Sequence, residues 1–358
     1  MVGPGKMKYM PYVNFYLDNI DRHEHEIHVA YWNRDEKDED LSAFEDLILH
    51  EYRKYMVNDA SLFVKLRLYY GFRKFCIKLI RRYNYDFVIV LHSIPGVILY
   101  DKLIKKYHGK YILDYRDSTY EPKVRLFQKT VANIIRHSKV TFTSSDGFRI
   151  YFPTECKSKV YTSHNLLEDS LKHRVYEKNS SERIRIAFWG FIRNIELNEK
   201  IISSLGNDSR FELHYYGREQ SEALHLKEFT ARHGYENVFF HGEYKPIDRY
   251  EFVRNTDLIH NLYYDENMMK AMANKYYDGL IFRIPQVCMT GSQMAIMCES
   301  AQVGIASDPR VENLGDKLYS YYHKFDKNIF DNNCDNELTR ILQEYNDGVN
   351  VISELFKN

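Results

Sequence analysis

Residues 274–289 read Asn274-Lys275-Tyr276-Tyr277-Asp278-Gly279-Leu280-Ile281-Phe282-Arg283-Ile284-Pro285-Gln286-Val287-Cys288-Met289, a helical stretch running into a proline-led apolar run. The lysine and the aspartate fall one helical turn apart at the start of the helix. In a βα unit such a start faces the crevice at the carboxyl edge of an open parallel sheet. There a lysine can neutralise a diphosphate, and a carboxylate can accept hydrogen bonds from ribose hydroxyls. An amphipathic helix with a solvated charge pair satisfies the same spacing, so the stretch takes its meaning from the units around it.

Those units repeat one rhythm. Short β-branched or aromatic runs alternate with longer helical patterns, the signature of parallel α/β sheets. In the first half, strands are predicted near 26–32, 86–91, 110–114, 139–143 and 158–161, with helices near 41–56, 61–82, 94–107, 121–136 and 145–152. Only Met1-Val2 precedes the first glycine turn, so the opening strand is expected to be very short. The second half predicts strands near 184–189, 211–216, 237–241, 257–262, 285–289 and 302–306. Between the halves lies the polar run Glu177-Lys178-Asn179-Ser180-Ser181-Glu182-Arg183. The expected organisation is a first Rossmann-like domain over 1–168, a linker over 169–183 and a second such domain over 184–334. Terminal helices over 335–358 are expected to pack back toward the first domain.

Length and composition narrow the class. A chain of 358 residues fits two domains of ordinary size. Its 50 basic and 50 acidic side chains cancel, which leaves no global field to recruit nucleic acid. Cys76, Cys156, Cys288, Cys298 and Cys334 are scattered without a Cys-x-x-Cys pair, against a disulfide framework or a zinc site and in keeping with a reducing cytoplasm. The start lacks the apolar stretch of a signal peptide, and no apolar run approaches the roughly 18 residues that span a bilayer.

Three strands of the second half end in glycine: Phe188-Trp189-Gly190-Phe191-Ile192-Arg193, His214-Tyr215-Tyr216-Gly217-Arg218 and Phe239-Phe240-His241-Gly242-Glu243. Glycine at a strand's carboxyl end lets a ligand approach the backbone closely. With the lysine and aspartate of 274–285, this pattern resembles the GT-B glycosyltransferases, and among them the large retaining group that assembles bacterial capsules, O-antigens and exopolysaccharides. The resemblance covers most of the chain and is clearest from Ile184 to Pro309. It implies an α/β GT-B fold, two Rossmann-like domains whose parallel sheets face a central cleft. It implies a donor site built from Gly190, Arg193, Tyr216, Gly217, Gly242, Glu243, Asn274, Lys275 and Asp278, with Lys275 at the nucleotide diphosphate and Asp278 at the ribose. Two positions depart from the pattern: Lys270 stands eight residues before Asp278, where the family carries its first glutamate, and Arg283 replaces the glycine two before the proline. GT-B enzymes need no bound metal, because basic side chains and a helix N-terminus stabilise the departing diphosphate, so no metal or cofactor is expected.

In the first half, His92 follows the strand Phe87-Val88-Ile89-Val90-Leu91, and Asp117 follows Tyr111-Ile112-Leu113-Asp114-Tyr115-Arg116. Either can supply a base or hold acceptor hydroxyls, so His92, Asp117 and Lys275 are the candidate catalytic residues. Gly3-Pro4-Gly5-Lys6 is expected to form an acceptor-side loop; it lacks the marks of a dinucleotide fingerprint or a P-loop, so Gly3, Gly5 and Lys6 signal neither NAD nor ATP. Residues 61–82 interleave Lys65, Arg67, Arg73, Lys74, Lys78, Arg81 and Arg82 with apolar side chains, a pattern that can lie on anionic lipid. His23, His25 and His28 read as a solvated turn, not a metal site.

The sequence therefore points to a cytoplasmic transferase, peripheral to the inner face of the plasma membrane. It is expected to move a sugar from a nucleotide diphosphate donor, UDP-sugar favoured, to a lipid-linked saccharide in surface polysaccharide assembly. The rivals are a nucleotide-sugar epimerase on the same fold and a non-catalytic partner subunit.

Overall fold

The computed structural model describes residues 1–57, 60–165, 171–172, 178–324 and 326–357. It divides into two compact units, Met1–His164 with Gln343–Asn358, and Asn165–Leu342. Much of the expected linker, at 169–170 and 173–177, lies outside the described residues.

The first unit carries β1 (His28–Asn33), β2 (Ile48–Arg53), β3 (Val88–Leu91), β4 (Tyr111–Tyr115), β5 (Val140–Thr143) and β6 (Val160–Thr162). β1 pairs with β2, and β3 through β6 pair in sequence, every ladder parallel. Val2 joins the two groups, bridging Ala30 on one side and Val90 on the other. The Val2 amide donates to Ile89 and the Leu91 amide to Val2, while the Gly3 amide donates to Ala30, each at 2.9 Å. The short opening segment thus lies inside the sheet, in the order β2-β1-Val2-β3-β4-β5-β6. The connection reverses direction between Val2 and β3, the place where open parallel sheets bind ligands at their carboxyl ends.

Residues 41–56 correct the sequence reading. A helix is expected there, but the chain makes a short 3₁₀ turn at Ser42–Phe44 and then the edge strand β2. Its local pattern suits a helix; cross-strand packing decides otherwise. Tyr52 meets Trp32, Phe72 and Phe75 at ring separations of 5.4, 5.4 and 5.5 Å, and His50 bonds His28 at 2.9 Å. His28 is correspondingly a buried residue opening β1 and not part of a solvated turn. A cavity of about 310 Å³ lies at the amino ends of these strands, lined by Met1, His28, Tyr83, Phe87 and Phe356 among others, on the edge away from the switch point.

The second unit has six parallel strands: β7 (Ile184–Trp189), β8 (Phe211–Tyr216), β9 (Val238–Gly242), β10 (Leu258–Asn261), β11 (Gln286–Met289) and β12 (Gly304–Ser307), in the order β12-β11-β10-β7-β8-β9. This is the doubly wound arrangement, with the switch between β7 and β10. All six residues of β7 are buried, as expected of a central strand covered on both faces. Ile186, Phe188, Leu213 and Tyr215 pack under the helices Ile195–Leu205 and Ser221–His233. Ala187, Trp189, Ile259 and Cys288 face the opposite core with the helix Asn274–Ile281.

The C-terminal residues form one unbroken helix, Lys327–Leu355, starting before the expected 335. Phe330, Cys334, Leu338 and Ile341 join the second unit's core. Past the division, Gly348 passes so close to the first unit's core that a β-carbon there would sit 3.1 Å from Phe15 and 3.2 Å from Phe142.

Candidate donor and acceptor sites

The switch between β7 and β10 places the second unit's site. β7 leaves through Gly190, whose φ of +128° is a conformation that side chains rarely adopt. The Gly190 amide donates to the Tyr216 carbonyl at 2.9 Å, and the Gly217 amide to the Gly242 carbonyl at 2.8 Å. The three strand-end glycines are therefore one continuous layer. Gly217 has no room for a side chain, because its β-carbon would fall 2.1 Å from the Gly190 oxygen. Gly217→Ala is expected to force these loops apart at a cost of about 1–3 kcal/mol, read as a lower urea midpoint with unchanged secondary structure by circular dichroism.

β10 leads through Tyr263 into the helix Asn274–Ile281. Ala273 stands at its N-cap and no side chain caps it; its carbonyl takes the Tyr276 amide at 2.9 Å, which leaves the Asn274 and Lys275 amides for an anion. Asn274 is exposed; Lys275 is buried, 6 % accessible. Its ammonium touches the Tyr263 hydroxyl, lies over the Phe188 ring at 4.3 Å, and comes within 3.4 Å of where a Gly190 β-carbon would be. Burial, opposed by Asp278 and reinforced by the Arg193 charge, pushes the lysine pKa down to about 7. Arg193 is exposed and stacks over Phe191 at 4.9 Å. Neither cation has an ion-pair partner among the described residues. Two like charges that act on one another, neither of them ion-paired among the described residues, make a site that an incoming anion stabilises.

Asp278, on the same helix face, is turned inward. Arg249 donates to both of its oxygens at 3.0 and 3.2 Å, and the Trp189 indole donates at 2.9 Å. Burial pushes its pKa up against the pull of Arg249 and Trp189. The solvated Lys–Asp pair is thus absent: each residue has separate buried partners. Tyr216 lies in an aromatic stack, 4.2 Å from His241 and 4.1 Å from Phe252, and Glu243 is exposed. Lys270, eight residues before Asp278, donates to the Glu266 carbonyl at 3.2 Å. Arg283 keeps the left-handed backbone, φ +55°, that a glycine adopts freely, and its side chain pairs with Asp335 at 2.6 Å.

Sequence reasoning missed Trp189, Arg249, Tyr263 and His260. His260 is wholly buried against Phe188 at 4.9 Å, and neither ring nitrogen has a hydrogen-bond partner. Burial, then the Lys275 charge, pushes its pKa down to about 3, so it stays neutral beside the lysine.

In the first unit, His92 and the Gly3–Lys6 loop flank the switch between Val2 and β3. His92 holds φ +91° and ψ 153°, backbone space that is nearly glycine's alone, and such strain concentrates at functional sites. Its amide donates to the Asp114 carbonyl at 2.7 Å. Burial lowers its pKa, while the Asp117 and Glu121 charges raise it, so both carboxylates belong to the same edge. Asp117 is exposed; Asp114 and Arg116 form a buried pair at 2.6 Å. Lys6 is not a free loop cation: it is 2 % accessible and paired with Asp35. Gly3 is pressed against Met10, whereas Gly5 has open space around it.

No protein-family profile matches the sequence, and no curated protein sequence does. Solved structures match over nearly the whole chain. A sucrose-phosphate synthase from Thermosynechococcus elongatus superposes with a TM-score of 0.70 at 10 % identity, covering 99 % of this chain and 94 % of that one. Anabaena HepE in complex with UDP gives 0.65 at 12 %, covering 99 % and 97 %. An enzyme described as a UDP-N-acetylglucosamine 2-epimerase from Listeria monocytogenes gives 0.57 at 13 %, covering 93 % and 90 %. The chain has the GT-B fold, an α/β architecture of two Rossmann-like domains with parallel sheets. At these identities the likeness shows the fold, and chemistry must come from the site.

Proposed function

We propose that this protein is a glycosyltransferase that moves a sugar from a nucleoside diphosphate sugar, a UDP-sugar by preference, to a saccharide acceptor. The observation that carries the reading is the convergence of Lys275 and Arg193 at an uncapped helix N-terminus beside the Gly190–Gly217–Gly242 layer. There the two cations and the helix amides neutralise the leaving diphosphate, so the chemistry needs no metal and no cofactor. His92 and Asp117 serve the acceptor: His92 is the candidate base for its hydroxyl, and Asp117 orients it. The retaining course and a place in bacterial surface polysaccharide assembly follow from the sequence resemblance. HepE, whose structure holds UDP, supports the choice of base.

Thermal unfolding against UDP, GDP, CDP, ADP, CMP and NAD tests the donor. At about a hundred times the dissociation constant, selective binding to the native state adds about 2.7 kcal/mol. A midpoint shift of a few degrees with UDP alone is expected, and a shift with NAD alone would overturn the proposal. The second reading is a nucleotide-sugar epimerase on the same fold, the activity in the name of the Listeria neighbour; conversion of UDP-N-acetylglucosamine without any acceptor would establish it in place of transfer.

The acceptor is proposed to be lipid-linked, and the enzyme cytoplasmic and peripheral to the membrane. The helix Leu62–Tyr83 carries seven basic residues and no acidic one. Its first turns are unpacked, with Leu62 66 % and Phe63 78 % accessible. Among the described residues no helix is long and apolar enough to cross a membrane. Each basic residue near an anionic surface contributes about 1 kcal/mol. Co-sedimentation with phosphatidylglycerol vesicles is expected, weakened by salt and by Phe63→Asp; equal sedimentation with neutral phosphatidylcholine vesicles would remove the electrostatic part of this reading.

A further inference from the structure

Arg34 follows β1 immediately, at the carboxyl edge of the first sheet and one strand from its switch point. Its guanidinium lies 4.9 Å over the Trp32 ring, and its Nε is buried with no hydrogen-bond partner. Its neighbours are phenols and not acids: Tyr69 and Tyr120 are the groups whose charges act on it, and burial lowers its pKa. Other inward-facing arginines are each matched to an aspartate: Arg116 with Asp114 at 2.6 Å, Arg185 with Asp257 at 2.9 Å, Arg249 with Asp278 at 3.0 Å and Arg283 with Asp335 at 2.6 Å. Arg34 has no ion pair among the described residues. Asp35, the next residue, is paired with Lys6, and Glu121 accepts from the Thr119 amide at 2.6 Å through Oε2, while its buried Oε1 has no hydrogen-bond partner and makes no ion pair with Arg34.

A guanidinium held against aromatics without an acid is costly unless something supplies the anion, and its planar fork suits a two-oxygen partner. We propose that Arg34 anchors an oxyanion, a phosphate or carboxylate group, and that this anion belongs to the acceptor. Arg34 is close enough to His92 for its charge to lower that imidazole's pKa. An acceptor held by its anion at Arg34 therefore brings a hydroxyl to the edge where His92 stands. The assignment to an acceptor rests on the transferase reading; the anion site does not.

The chain has two tryptophans, Trp32 and Trp189, so Trp189→Phe leaves Trp32 as the reporter beside Arg34. In that background, fluorescence is titrated with inorganic pyrophosphate, standing for a lipid diphosphate, with glucuronate, standing for an acidic sugar, and with neutral glucose. Saturable quenching by at least one anion, none by glucose, and an affinity lower by about tenfold or more in Arg34→Gln are expected. The tighter anion names the source of the charge. Arg34→Lys, which keeps the charge without the fork, is expected to retain part of the binding and guards against a variant that only fails to fold. Absence of quenching by either anion would overturn the anion site, as would binding unchanged in Arg34→Gln or lost in Lys275→Ala in its place. A UDP-induced thermal shift that survives any of these results leaves the transferase reading standing by itself.

Discussion

Lys275→Ala is expected to cut turnover of the donor about a hundredfold to a thousandfold, the loss measured when one group stabilising developing charge is removed. It is also expected to abolish the UDP-induced thermal shift while leaving the circular dichroism spectrum unchanged. The lysine is 6 % accessible and its ammonium faces the Gly190 loop, where the proposed function puts the diphosphate. Its truncation is easily tolerated by the fold, because removing the ammonium also removes a desolvation penalty. Unchanged turnover in Lys275→Ala would displace the donor site from this crevice.

The same burial gives the site a pH signature. The folded-state pKa of Lys275 lies at about 7, below the unfolded value near 10.4. Between those values the unfolded chain binds more protons than the folded one, so unliganded stability rises with pH across that window. The slope from this one group is at most about 1.4 kcal/mol per pH unit, and the difference between wild type and Lys275→Met isolates it. UDP affinity should run the other way. The diphosphate needs the ammonium, so the dissociation constant is expected to rise as pH climbs above about 7, by at most about tenfold per unit. A dissociation constant flat from pH 6 to about pH 9 would mean that Lys275 does not meet the diphosphate.

What the sequence made legible follows from how local each signal is. Ile184–Trp189 reads as a strand from its β-branched and aromatic residues, and all six are buried, Arg185 among them through its pair with Asp257. The Lys275–Asp278 spacing is local too, and it puts both residues on the buried side of one helix. Their partners are not local. Arg249 lies 29 residues from Asp278, and Trp189 lies 89 residues from it. No spacing rule in one sequence links them, so an ordinary charge pair and two separate buried networks read alike. Residues 41–56 fail for the same reason, since β2 exists only through its pairing with β1. His92 was reachable as a strand-end histidine, but its glycine-like backbone is visible only once the chain is folded. Arg34 left no mark at all, because a lack of partners is a property of the neighbourhood.

Asp278→Ala carries the largest expected effect on stability. It would remove the carboxylate to which the Arg249 guanidinium, 8 % accessible, and the Trp189 indole both donate. Breaking a buried pair by removing one partner typically costs about 3–5 kcal/mol, since the remaining charge stays desolvated. Urea unfolding followed by tryptophan fluorescence reads this directly, because Trp189 is itself a member of the network. Asp278→Asn keeps one acceptor oxygen and should lose less. The double variant Asp278→Leu with Arg249→Met should recover most of the loss, since it leaves no orphaned charge. Comparing the variants separates structure from recognition: the double variant restores packing but offers nothing to a ribose. If it regains the urea midpoint and also the UDP shift, Asp278 serves the fold alone. If it regains the midpoint without the shift, the carboxylate is needed by the nucleotide, and Arg249 and Trp189 are what hold it ready.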